Sequence, residues 1–398
     1  MTKLGYKLYV KVDMIRVIYF CPSEGMYGDN IALMRIMPYL VEKGVIPFFV
    51  VSFEGPFVDY LKKNQYDYYV CHNRIWNMYD LSNPLKNFIR CGIHKFKSLF
   101  KNVSDVKKCT IILKNFHADI VHSNSSNSSF GFFLAKKLGI KHVWHLREYG
   151  IFDSNKQFFP SLGCFIHRLN LPKNYSISIT PLIHDYFKRS SEDITIYDGV
   201  VDENKLPQLD VNKNNYFLYV GRLFYKKGVE EIINAFCAAS VNKEKEYELI
   251  IAGTGDSQYE EFLKSKVQKL GFENHVHFLG YRNDITNLML KAKALIVASD
   301  FEAFGFITTE AMFAGCYVIG KNTAGTKLQM DNIKKKIGYS IGSRYVYEKD
   351  LCNIIRDIMN NKLDVKFDMK RVQEEIVNLY GVEKSANIVF DDNIKILN

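Results

Sequence analysis

The stretch 295–320, LIVASDFEAFGFITTEAMFAGCYVIG, constrains the fold more than any other part of the chain. Residues 295–298 form a short apolar run of the kind found in a strand buried on both faces. Ser299, Asp300, Phe301 and Glu302 follow, then Gly305, where the backbone can bend and approach a ligand closely. Thr308 or Thr309 offers a side-chain N-cap, after which 310–314 read as helix until Gly315 stops it. Residues 316–319 read as the next strand. Strand, acidic loop, helix and strand in that order belong in an open parallel α/β sheet. The helix N-terminus, with its free N–H groups and partial positive charge, then sits at the carboxyl end of a strand as an anion site.

Glu302 and Glu310 are separated by seven residues. A carboxylate there can accept two hydroxyl hydrogen bonds, as from a ribose, while nearby N–H groups hold phosphate oxygens. Spacing alone is equally satisfied if Glu310 only complements the helix dipole and Glu302 is solvated. The neighbouring residues decide between the two. Glu302-Ala303-Phe304-Gly305-Phe306, followed by Glu310-Ala311-Met312, resembles the signature of the retaining nucleotide-sugar glycosyltransferases of family 4, the glycosyl transferases group 1. The resemblance implies an α/β chain of GT-B fold, two Rossmann-like domains facing each other across a cleft. On that plan 1–200 form an acceptor-binding domain, 201–375 a nucleotide-sugar-binding domain, and 376–398 a helix returning to the first domain.

A chain of 398 residues is long enough for two such cores. Its eight cysteines form no CxxC pair or His/Cys cluster, which predicts reduced thiols and no metal site. No apolar region followed by a cleavage site opens the sequence, and no run approaches the ~18 apolar residues of a membrane span. A cytoplasmic protein is expected. The formal charge of +10 is uneven: residues 1–190 hold 26 Lys+Arg against 13 Asp+Glu, the remainder 27 against 30. The first half therefore meets something anionic or carries a solvated basic face. No nucleic-acid motif is present. An anionic inner-membrane surface or a lipid-diphosphate-linked acceptor fits better. Residues 84–108 interleave Phe88, Ile89, Ile93, Phe96, Leu99 and Phe100 with Lys86, Arg90, Lys95, Lys97 and Lys101 at helical spacing. Such a helix lies on a bilayer or packs its apolar side into the domain.

In the first half, 1–13 are a basic lead-in and 14–21 a β-branched and aromatic strand. The loop 22–30 carries Gly25 and Gly28 and precedes a helix 31–43 closed by Gly44, with a strand at 45–53. Gly28 gives backbone access to a phosphate or acceptor, or only shapes the turn. The strand 119–123 runs into a serine-rich loop, 124–129. The strand 142–144 delivers His145, Arg147 and Glu148 to its carboxyl end. In the resembled family a His near such a strand end approaches the donor sugar, often as His-Asp. That implies catalytic work for His145 and Glu148, with Arg147 on the nucleotide sugar, although His-Leu-Arg-Glu departs from the pattern. Residues 194–202 resemble the family's hinge, with Asp198 in place of its usual Asn.

In the second half, the strand 216–220 leads into Gly221 and Arg222, with Lys226 and Lys227 ahead of a helix at 229–239. Arg binds phosphate bidentately and Lys supplies a point charge. The resemblance places the donor diphosphate on Arg222 and Lys227. The loop after the strand 247–252 starts with Gly253 and either cradles phosphate or shapes the turn. Near Tyr281, after the strand 275–279, the family reads the base. A last strand is expected at 338–341, and 367–398 read as helix broken at Gly381.

The expected activity is retaining transfer of a sugar from a nucleotide-diphosphate donor, a UDP- rather than a GDP-sugar, to a saccharide or lipid-linked saccharide. Surface polysaccharide assembly (capsule, O-antigen or exopolysaccharide) is the context expected. Glu302 orients the sugar; Phe304, Gly305, Phe306, Ile307 and Glu310 face the nucleotide sugar. No cofactor or metal is called for, because cations already take the phosphate role; Asp300-Phe301-Glu302 is read on the same ground as no metal motif. The rival readings are a nucleotide-sugar 2-epimerase of the same fold and a non-catalytic nucleotide-binding partner.

Overall fold

The computed structural model describes residues 14–72, 77–241, 247–363 and 365–398; within the helix Pro84–Ile112 the side chains of 94–104 lie outside the described residues. The lead-in 1–13 and the readings of Lys95, Phe96, Lys97, Leu99, Phe100 and Lys101 therefore fall outside them too.

Short β-branched and aromatic runs separated by helices build two parallel sheets, as buried strands with crossover helices must. In the first domain β1 (Ile15–Cys21), β2 (Val45–Val51), β3 (Tyr68–Val70), β5 (Ile120–Ser123), β6 (Lys141–Leu146), β8 (Asn174–Ser178) and β9 (Ile194–Thr195) lie in the order β3-β2-β1-β5-β6-β8-β9. A small antiparallel pair, β4 (Met78–Asp80) with β7 (Lys156–Phe158), stands beside it. In the second domain β10 (Tyr216–Val220), β11 (Glu248–Ala252), β12 (Val276–Gly280), β13 (Ala294–Val297), β14 (Tyr317–Lys321) and β15 (Gly342–Tyr345) run β12-β11-β10-β13-β14-β15. In each sheet the order reverses beside the first strand, between β1 and β5 and between β10 and β13. Such a switch opens a crevice at the carboxyl ends of the strands.

Val17, Ile18, Tyr19 and Phe20 are wholly buried, as are Leu295 and Val318 in the second sheet. Each such side chain stabilises the fold by about 1.5–3 kcal/mol relative to exposure. The chain passes to the second domain after Val201 and returns through the helices Met369–Tyr380 and Val382–Leu397. Val382, Ala386, Val389 and Ile396 share one apolar cluster with Leu33, Met37 and Leu40 of the first domain. Lys141 Nζ donates to the carbonyls of Ile396 and Leu397.

Several expected boundaries move. The helix of the central stretch is Phe306–Phe313, not 310–314: Gly305, at φ +94°, turns the backbone into it and neither Thr308 nor Thr309 caps it. Both threonines are buried inside the helix instead. The first helix begins at Gly28, not 31. The last strand is Gly342–Tyr345, not 338–341, because Gly338, at φ +91°, closes the helix Ala324–Ile337 and the following residues turn away. β6 also runs two residues further than expected, through Leu146.

Candidate functional site

The crevice holds two adjoining cavities. The larger, about 440 Å³, is lined from the first domain by Gly28, Ile31 and Arg35 and from the second by Gly221, Arg222, Lys227, Ser299, Glu302, Phe306, Ile307 and Glu310, among others. The other, about 290 Å³, shares Gly28, Lys227, Glu302 and Phe306 with it and adds Asp29, Arg147, Glu148, Asp153, Asp198, Phe304 and Gly305. Concave sites with convergent polar groups at a topological switch are where α/β domains bind ligands.

Gly305 makes the second-domain wall possible. Its positive φ lets the loop turn while Gly325 N donates to Glu302 O at 2.8 Å and Gln329 Nε2 to Phe304 O at 3.0 Å. The loop is thus pinned from behind, and the N-terminus of Phe306–Phe313 faces the crevice. Phe304 is buried, with its ring 5.0 Å from that of Phe306. Glu302 Oε1 accepts from Lys227 Nζ and from Ser299 Oγ, each at 2.6 Å. Asp300 is engaged separately by Lys321 Nζ at 2.9 Å, which also holds Glu231. Asp300 and Glu302 thus have different cationic partners, and among the described residues no group of three or more His, Cys, Asp or Glu is arranged to hold a metal ion. Arg222 is exposed, its guanidinium 5.6 Å from the Phe224 ring, with no carboxylate partner among the described residues. Glu310, in the second turn rather than the first, lies 2.7 Å from Arg35 NH2 of the first domain.

Arg147 and Glu148 leave the end of β6 toward the smaller cavity. Arg147 NH1 donates to both oxygens of Asp198 at 2.5 Å, and Nε to Asn124 Oδ1 at 3.2 Å. Glu148 Oε1 accepts from Ser125 Oγ at 2.5 Å and Ser126 Oγ at 2.9 Å. Burial pushes the Glu148 carboxyl up to about 7; the two hydroxyls pull against that shift and the Asp153 carboxylate adds to it. Burial also raises Asp29, which accepts from Ser23 Oγ at 2.6 Å.

Three residues named from the sequence are not brought to either cavity. His145 still belongs to β6 and its ring is buried behind the wall: Nδ1 lies 3.1 Å from His122 Nε2 and 3.2 Å from Arg147 NH2. Burial, then the Arg147 charge and His122, hold its pKa well below the ordinary histidine value. Gly253 packs against the backbone of Gly221, where a Cβ would run into the carbonyl oxygen. Tyr281 is 81% exposed beyond the end of β12. Conversely, Asp29, Arg35 and Ser299 line the cavities although the sequence gives them no site role, and Asp198, there only a hinge variant, anchors Arg147. Only Asp198 had a local signal, its departure from the family's Asn.

Residues 201–372 match the family model described as glycosyl transferases group 1. An uncharacterised glycosyltransferase of Methanocaldococcus jannaschii is 30% identical over 202 residues; the match takes in 46% of this chain and 46%, about half, of that protein. An undecaprenol-linked saccharide alpha-1,4-N-acetyl-D-galactosaminyltransferase of Campylobacter jejuni is 24% identical over 74% of this chain and 82% of its own length. Among solved structures, Anabaena HepE in complex with UDP superposes with a TM-score of 0.75 at 18% identity, covering 96% of this chain and all of that one. WaaG, a glycosyltransferase involved in lipopolysaccharide biosynthesis, gives 0.65 at 16%, covering 94% and 99%. Residues 201–372 thus resemble the glycosyl transferases group 1, and the chain as a whole has the GT-B fold of these solved structures.

Proposed function

We propose that the chain is a retaining, metal-independent glycosyltransferase that moves a sugar from a UDP-sugar to a saccharide or lipid-linked saccharide acceptor in bacterial surface polysaccharide assembly. The observation that carries the reading is the convergence of Arg222, Lys227, Glu302 and Glu310 on one cavity between two Rossmann-like domains. Arg222, Lys227 and the helix N-terminus after Gly305 neutralise the diphosphate as its bond to the anomeric carbon breaks, the charge-stabilising work a metal would otherwise do. Glu310 takes the ribose hydroxyls. Glu302, fixed by Lys227 and Ser299, orients the sugar. The acceptor enters beside Glu148 and Arg147; its hydroxyl oxygen bonds to the anomeric carbon on the face the diphosphate leaves, and its proton passes to the departing phosphate oxygen. UDP in HepE and the lipid-linked saccharide in the name of the Campylobacter relative support this choice of donor and acceptor.

We also propose that the first domain touches an anionic inner-membrane surface. Leu85, Ile89 and Ile93 are each at least half exposed at intervals of four residues on the helix Pro84–Ile112, beside exposed Lys86 and Arg90. An apolar stripe flanked by cations suits anionic lipid. Co-sedimentation with phosphatidylglycerol vesicles but not phosphatidylcholine vesicles, lost in Ile89→Asp, is the expected result.

The activity is tested by scoring nucleotide diphosphate release from UDP-, GDP- and ADP-sugars in EDTA. Slow release from one donor, abolished in Glu310→Ala, is expected. Interconversion of nucleotide sugar with no acceptor present points instead to a 2-epimerase. A chain that neither turns over a donor nor is stabilised by any nucleotide overturns the reading.

A further inference from the structure

Glu310, to which the proposed function gives the ribose, already has a partner from the opposite domain. Arg35 NH2 reaches across the crevice from the helix Gly28–Glu42 to Glu310 Oε1 at 2.7 Å. The guanidinium lies 5.9 Å from the Phe306 ring, in the cavity that Arg222 and Lys227 also line. The other terminal nitrogen, Arg35 NH1, is buried and has no hydrogen-bond partner. A buried cationic N–H without an acceptor is costly, and an anion that reaches it removes that cost.

We infer that Arg35 senses the donor: with no nucleotide it latches the two domains through Glu310, and it transfers to the diphosphate when the ribose takes Glu310. The inference rests on the nucleotide-sugar reading above. The exchange keeps every group paired. Glu310 trades a guanidinium for two ribose hydroxyls, and Arg35 trades one carboxylate for phosphate oxygens that its planar fork can meet with both terminal nitrogens.

Exposure fits an exchangeable contact. The two side chains are 31% and 27% exposed, so the pair is worth little by itself and a ligand of ordinary affinity can displace it. A wholly buried pair would instead lock the crevice. The arrangement also discriminates among ligands. A nucleoside must displace Arg35 from Glu310 and leave it without an anion, whereas a nucleoside diphosphate supplies one. Arg35 thereby selects ligands that carry both ribose and diphosphate, and cross-domain contact persists with a changed partner.

Calorimetric titration of the wild-type chain, Arg35→Ala and Arg35→Lys with uridine and with UDP tests this, with guanosine and GDP in parallel. Arg35→Ala is expected to bind the nucleoside about threefold or more tightly, because Glu310 is released, and the diphosphate about tenfold or more weakly. Arg35→Lys, which keeps the charge without the fork, should fall between. The opposite signs are what a purely structural role would not produce. Parallel loss of both ligands in Arg35→Ala, or unchanged nucleoside affinity, overturns the latch while leaving the nucleotide reading intact. A wild-type chain that binds neither UDP nor GDP overturns both.

Discussion

Lys227 Nζ and Ser299 Oγ converge on a single oxygen of Glu302, each at 2.6 Å. The cation assigned to the diphosphate and the carboxylate assigned to the sugar are therefore one unit, held by a serine at the mouth of β13. Replacing either charged partner disturbs the other. Lys227→Ala should lower the rate of donor cleavage by about 10²–10³, the usual loss on deleting one charge-stabilising group. Combined with Glu302→Gln the losses should fall short of additive by about 0.5–3 kcal/mol, as for groups in direct contact. Steady-state rates of the two single variants and the double variant measure the shortfall; strictly additive losses refute the pairing.

Glu148 should set the pH dependence of transfer. With its carboxyl raised to about 7, its ionised fraction grows between pH 6 and 8, and transfer should rise over that range and flatten in Glu148→Gln. Stability moves the other way. The folded chain holds this proton more tightly than the unfolded chain, whose glutamates titrate near 4.5. Its contribution is complete below that value and is lost as pH rises to about 7. Denaturant midpoints should show Glu148→Gln gaining on the wild type at pH 8 but not at pH 4.

The buried histidines act on the acid side. Burial depresses His122 and His142 to about 3, so both are neutral in the fold, whereas the unfolded chain takes up their protons near 6.5. The stability they support is present above 6.5 and disappears as pH falls toward 3. At pH 5 each should cost about 2 kcal/mol. Urea midpoints at pH 7 and pH 5 check this: His142→Gln should show a smaller acid loss than the wild type, and equal losses would contradict it.

Gly253→Ala tests whether the glycine loop after β11 is a packing device. At φ +146°, with Gly221 O where a Cβ would sit, the substitution should cost upward of about 2 kcal/mol. That is a fall of at least about 4 °C in Tm for a domain of this size. An unchanged Tm would show that the two loops separate freely and return Gly253 to a role at the ligand.

What could be read from the sequence was local. The two glutamates, the Gly221–Arg222 loop and Lys227 lie within short strand-loop-helix units, where residue type and spacing carry the signal, and the runs beneath them are buried strands as their β-branched content required. The helix start was misplaced because Thr308 and Thr309 are good caps in isolation, yet Gly305 had already turned the chain. Arg35 was illegible for another reason. It sits mid-helix among apolar residues, and its partner is 275 residues away, a distance no periodicity spans. His145 looked like Glu148 in sequence, and only the two-residue extension of β6 separates the ring behind the wall from the carboxyl in front of it.

The helix Val382–Leu397 completes the apolar face of the helix Gly28–Glu42. In a growing chain that covering arrives after the whole second domain has been made. At about 5–20 residues per second, the face formed by Leu33, Met37 and Leu40 waits many seconds for its lid. The first domain is born before the second but finishes after it, so a chaperone that shields this helix during synthesis would act on a surface that the order of translation leaves bare.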